Sequence, residues 1–227
     1  HLCTQLFAMS QVRVIRQRFQ AAAQPQAAAP PPPEPEAIER SYAVLGLVAS
    51  TGGPNALVKV LNGLPGDFPL PILVVQHIGA AFVAGFANWL DTVCPQAVML
   101  AEAGMEPRPG RVYVAPGDRH LQVEHRRLRL GDGPPVCGQR PSGDVLFTAL
   151  ADQYGAGGIG VLLTGMGEVG AQGLLALRRA GGYTVAEDAS TAVIHGMPGA
   201  AAALGGAVEE LPLHKIAARL SELVTPN

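Results

Sequence analysis

From Tyr42 onward the chain alternates short, nearly unbroken apolar runs with longer runs whose apolar residues recur every three or four positions. The runs "YAVLGLVA", "PILVVQH", "AVMLAE", "GIGVLLTG" and "YTVAED" read as strands. "PNALVKVLNGL", "AAFVAGFANWLDTV", "SGDVLFTALADQYG", "AQGLLALRRAG", a short stretch near "HGMPGAAAAL" and the closing "LHKIAARLSELV" read as helices. A strand that is apolar on both faces must be covered on both faces, so the alternation predicts a mainly parallel sheet between helical layers. Three shorter runs, "GRVYVAPGD", "RHLQVEH" and "RRLRLGDG", are separated by turn residues and predict a β-hairpin insertion near residues 111 to 132. The expected fold is α/β and doubly wound, with helices on both faces of the sheet and that hairpin as an insertion.

Upstream the composition changes. Residues 1–24 place Leu6, Met9, Val12, Ile15 and Phe19 at helical spacing, which predicts a tail helix. Residues 25–41 are rich in Pro, Ala, Gln and Glu, cannot bury a core and predict an extended linker. The core-bearing domain is therefore expected over residues 42–227. A chain that opens at His1 rather than Met is expected to be a piece of a longer one. Net charge is −2, with no basic run interleaved with aromatics, which argues against a nucleic-acid partner. Cys3, Cys94 and Cys137 are odd in number and widely spaced, which argues against a disulfide framework and a zinc knuckle and for a reducing cytoplasm. No apolar stretch is long enough to span a bilayer, so no membrane insertion is expected.

Chemistry-bearing residues gather where strands hand over to helices. In "LGLVASTGGPNAL", Ser50 and Thr51 follow a strand, Gly52 and Gly53 permit a tight turn and Pro54 suits a first helical turn. A hydroxyl displayed beside free N–H groups and a helix N-terminus suits a nucleophile, a phosphate cradle or a plain helix cap. His77 ends the next strand-like run, where it is either a base for Ser50 or a core histidine held by backbone groups. His195 follows another strand–loop segment and is its rival; His1, His120, His125 and His214 offer less. The third loop, Gly165-x-Gly167-x-x-Gly170, lies between strand and helix, with Glu187 and Asp188 about 20 residues further on, which fits a dinucleotide-binding fingerprint. It arrives only after several βα units, and its position argues against a dinucleotide.

Taken in order, "STGGP", "VVQHI", "VYVAPGDRHL", "RPSGDVLF", "LLTGMG-x-x-GAQGLLALRRAG" and "HGMPGAA" resemble the catalytic domain of the chemotaxis protein-glutamate methylesterase family, CheB. The resemblance implies hydrolysis of the γ-methyl ester of glutamates on the helical signalling domains of chemoreceptors, and in some members deamidation of glutamines there. It assigns the nucleophile to Ser50, the base to His77 and oxyanion donors to the backbone N–H groups of Thr51 and Met166. It calls for no metal or organic cofactor, and it implies a phosphoacceptor receiver domain, or a phosphorelay partner, in control.

At one position the sequence departs from that pattern. The family glycine loop reads T-G-M-G-x-D-G and its aspartate orients the histidine; here the aspartate position holds Val169, with Glu168 beside it as a candidate substitute acid. Valine cannot accept the histidine N–H. The expectation is a methylesterase of reduced activity, with two alternatives: a catalytically impaired CheB-like scaffold or receptor-binding protein, and, remotely, a dinucleotide-binding protein. Position 169 is expected beside a polar cleft, where substitution leaves fold stability little changed.

Overall fold

The structure, a computed structural model, describes residues Ser41–Thr225. The tail helix and nearly all of the linker expected upstream lie outside the described residues. Seven strands form one sheet: β1 (Val44–Ala49), β2 (Ile72–Gln76), β3 (Ala97–Leu100), β4 (Arg111–Val114), β7 (Gly158–Leu162), β8 (Tyr183–Glu187) and β9 (Glu209–Leu211), in the order β3-β4-β2-β1-β7-β8-β9. Every pairing within it is parallel. Two further strands, β5 (His120–Glu124) and β6 (Arg127–Gly131), form a separate antiparallel hairpin.

The helices are α1 (Gly53–Asn62), α2 (Ala80–Val93), α3 (Gly143–Tyr154), α4 (Ala171–Arg179), α5 (Met197–Ala203) and α6 (Leu213–Val224). Because side chains alternate along a strand, each inner strand feeds two cores. Leu45, Leu47 and Ala49 of β1 join α1, α2 and α6 on one face. Val44 and Val48 join α3, α4, α5 and the hairpin on the other. The doubly wound expectation is met: from β1 the chain passes to β2, then to the edge strand β3 and back to β4 between them, and then crosses to the opposite side of β1 for β7, β8 and β9. The winding reverses at β1, so the crevice beyond its carboxyl end is where such a sheet places a ligand.

One boundary differs from the sequence reading. Of the three runs assigned to a hairpin insertion, only the second and third form it; Arg111–Val114 lies between β3 and β2 in the main sheet. Val112, Tyr113 and Val114 are buried, and that burial drives the strand into the sheet despite the turn residues around it. The hairpin turns at His125 and Arg126, with φ of 49° and 60°. Two consecutive left-handed residues give a connection whose twist matches the strands. Among the described residues no helix is long and apolar enough to cross a membrane.

Candidate active site

The loops singled out in the sequence meet at the carboxyl edge of the sheet. β1 and β2 pair with Ala49 opposite Gln76, and the His77 N–H continues the ladder onto Ala49 O at 3.0 Å, which sets Ser50 beside His77. The Gln76 side chain ties the two corners together by donating to Ser50 O (2.9 Å) and His77 O (3.1 Å). On the other flank the Ser50 N–H donates to Thr164 O at 3.0 Å. Glycine is required at the turn itself: Gly52 has φ 82°, and a Cβ there would lie 2.7 Å from Val193 Cβ.

The glycine loop closes on the same point. A Cβ on Gly165 would fall 2.8 Å from Ser50 Cβ and collide with Met197 Sδ, so loop and serine are in direct contact. Among the described residues neither the Thr51 nor the Met166 backbone N–H donates to a protein acceptor. Two unpaired amides beside a serine are a place where negative oxygen can be held. His77 Nε2 is buried and has no hydrogen-bond partner. Burial pushes the His77 pKa down to about 4, opposed by the negative charge of Asp144.

Glu168 is exposed, and its charge, after burial and with that of Asp144, helps raise the pKa of the Cys137 thiol. Val169 is buried, at 6% exposure, rather than loosely set beside a polar cleft; a charge placed there must be desolvated, so the expectation of unchanged stability on substitution is corrected.

His195 joins the glycine loop through its backbone, in a bridge to Gly165. Its Nε2 is buried without a partner and its ring packs on Gly199, where a Cβ would come 2.9 Å from Nδ1. Glu187 has no solvent exposure, and its Oε2 accepts the Thr164 N–H at 2.9 Å. A carboxylate in that setting cannot reach a ribose hydroxyl, so Glu187 does not serve the dinucleotide alternative. Thr164 relays the contact: its Oγ1 donates to Thr51 O (2.9 Å) and accepts from the Ile194 N–H (2.9 Å). Glu187 therefore buttresses the serine corner from below, and burial raises its pKa. The sequence reading missed this role because nothing in "TVAED" marks its glutamate as buried.

Asp144 was also overlooked. It lies in the first turn of α3 and is buried, and its carboxylate accepts the N–H groups of Gly170 (2.8 Å) and Gly173 (2.9 Å), pinning the glycine loop to α3. His120 supports that helix end: its Nδ1 accepts the Ser142 N–H at 3.2 Å, and its Nε2 meets Pro134 O at 3.0 Å.

Comparison with known proteins agrees with the geometry. Residues 45–220 match the family model described as CheB methylesterase. The chain is 50% identical to a Paramagnetospirillum magneticum protein named protein-glutamate methylesterase/protein-glutamine glutaminase 2, over 98% of this chain and 63% of that one. It is 42% identical to the Myxococcus xanthus protein-glutamate methylesterase FrzG, over 99% of this chain and 66% of that one. The chain thus spans less than two thirds of the length of these relatives. The crystal structure of the Thermotoga maritima CheB methylesterase catalytic domain superposes with a TM-score of 0.77 at 38% identity, covering 81% of this chain and 100% of that domain. With six ordered motifs, a shared sheet topology and this similarity over most of its length, the chain belongs to the CheB methylesterase family.

Proposed function

We propose that the domain is a protein-glutamate methylesterase working by serine acyl transfer, with glutamine deamidation as the parallel reaction. The observation that carries the reading is the serine at the winding reversal, flanked by a histidine on the next strand end and by two unpaired amide N–H groups. Ser50 Oγ attacks the ester carbonyl while His77 takes its proton. The N–H groups of Thr51 and Met166 hold the oxyanion. His77 then protonates the departing methoxide, methanol leaves, and water, deprotonated by His77, releases the glutamate carboxylate. Neither metal nor organic cofactor takes part in these steps.

The proposed substrate is a methylated helical signalling protein of the chemoreceptor type in the cytoplasm. Phe82 (69% exposed), Met166 (68%) and Val193 (69%) ring the corner and offer an apolar rim to a protein surface. A surface cavity of about 500 Å³ lies between the hairpin and α3, with Asp144 in its lining. An exposed apolar rim suits an ester carried on the side chain of a protein helix. Methanol release from a methylated receptor fragment is expected to proceed with kcat/KM at least roughly tenfold above that for a simple glutamyl methyl ester. Equal values for the two would overturn the protein-substrate reading.

A second prediction concerns pH. With the His77 pKa depressed to about 4, the base is neutral throughout the neutral range, and kcat/KM is expected to stay level on acidification until it falls through a midpoint near pH 4. Stability follows the same group. Its contribution is complete above the unfolded value of 6.5 and is lost as pH falls toward 4, because over that window the unfolded chain binds a proton the folded one does not. A midpoint near 6.5 in the pH–rate profile would show that the working base is not a buried His77.

Val169 favours a second reading, a scaffold that keeps the fold and binds receptors without efficient turnover. The same methanol assay separates the two: a wild-type rate no higher than that of the Ser50→Ala variant selects the scaffold.

A further inference from the structure

We propose that Asp144 is the positioning carboxylate of this site, serving His77 from the first turn of α3 in place of an acid on the glycine loop. The inference rests on the serine acyl-transfer reading above, and its geometry comes from three observations. Val48 and Val75 point into the layer that contains α3, so Ser50 and His77, each two residues further along, leave their strand ends toward that same side. Gly143, next to Asp144, is pressed so closely onto β1 that a Cβ would lie 2.5 Å from Val48 Cγ1 and 3.2 Å from Gly170 Cα. Finally, the Asp144 carboxylate accepts the Gly170 N–H, so it stands beside the peptide that carries Val169, the place where the family pattern puts its acid.

Electrostatics agree. Burial lowers the proton affinity of His77, and the charge of Asp144 opposes it; both Asp144 and, after it, Glu168 bear on the Cys137 thiol, but only Asp144 bears on His77. Each carboxylate oxygen of Asp144 accepts one amide N–H and keeps further acceptor capacity. Asp144 acts through its charge, stabilising the imidazolium that forms as Ser50 attacks. It also fixes the loop that supplies the Met166 amide.

The two roles separate in a double-mutant cycle on the whole chain. Asp144→Asn is expected to lower kcat for ester hydrolysis about tenfold with KM within about threefold, but to cost less than about threefold once Val169→Asp has supplied an acid. NMR titration of the His77 ring in both backgrounds is expected to show a lower midpoint after Asp144→Asn. Ser142→Ala, which removes only the hydroxyl cap on the Asp144 N–H, should leave that midpoint unmoved. The proposal is overturned if Asp144→Asn costs the same factor in both backgrounds while the His77 midpoint stays fixed, since Asp144 would then only anchor the loop. If no variant hydrolyses the ester, the methylesterase reading fails by itself, and the His77 midpoint alone decides whether Asp144 serves the histidine.

Discussion

Val169→Asp is expected to raise kcat for methyl-ester hydrolysis at least tenfold, toward a ceiling of roughly 10⁴-fold, the usual cost of losing the orienting carboxylate of a Ser-His-Asp triad. Ser50, His77 and the unpaired amides of Thr51 and Met166 are already in place, so the substitution adds only a carboxylate at the family position, beside the charge of Asp144. It should also move the acid limb of the pH–rate profile upward from about 4, because a neighbouring carboxylate favours the imidazolium. The gain carries a structural cost. Val169 is buried, and desolvating a carboxylate with incomplete pairing costs more than the roughly 1–3 kcal/mol of a neutral polar group, so Tm should fall unless the new acid bonds His77. Steady-state methanol release and thermal unfolding of wild type, Val169→Asp, Glu168→Ala and the double variant test this together. No gain from Val169→Asp, with a loss above about a hundredfold from Glu168→Ala, would make Glu168 the working acid.

The second large effect is the loss of the nucleophile or base. In a complete serine triad, removing either costs roughly 2 × 10⁶ in kcat, against roughly 3 × 10⁴ for removing the acid. A chain already lacking the acid at position 169 should therefore lose about a hundredfold more on Ser50→Ala or His77→Ala. His195→Ala should stay within about threefold, because the His195 ring packs on Gly199 and its buried Nε2 makes no hydrogen bond. Unfolding curves for each variant show whether a lost rate reflects chemistry or folding. If His195→Ala abolishes hydrolysis and His77→Ala spares it, the base has been assigned to the wrong histidine.

The central strands were legible because a strand buried on both faces leaves a continuous apolar run, as "VLGLVA" and "ILVVQ" do. β4 was misplaced for a local reason: four residues between turn signals resemble half a hairpin, and only the sheet decides which partner they take. β9 was invisible, since Glu209, Glu210 and Leu211 carry no apolar pattern and join the edge through β8. In the site, Ser50 and His77 could be found because strand ends are marked in sequence. Asp144 and Glu187 could not, because their importance comes from burial and from amides contributed by other segments. "PSGD" reads locally as a helix start, which it also is, with the Asp144 N–H donating to Ser142 Oγ at 3.3 Å.

Gly46 and Gly160 sit opposite one another in the β1–β7 register. A Cβ on Gly46 would come within 2.7 Å of Leu150 Cδ1, and one on Gly160 within 3.2 Å of Phe147 Cε1. The paired glycines make a dent in the sheet that seats two helices: α3 by Phe147 and Leu150, one and two turns beyond Asp144, and α4 by Leu174 and Leu177, whose Cδ atoms a Cβ on Gly160 would meet at 2.8 Å. On the proposal that Asp144 serves His77, the depth of the α3 seat governs how far the carboxylate stands from the histidine. A methyl group added at Gly46 would lift α3 like a shim under a lever, and on that proposal acid–base coupling is tuned from mid-sheet without altering any residue that touches the ester.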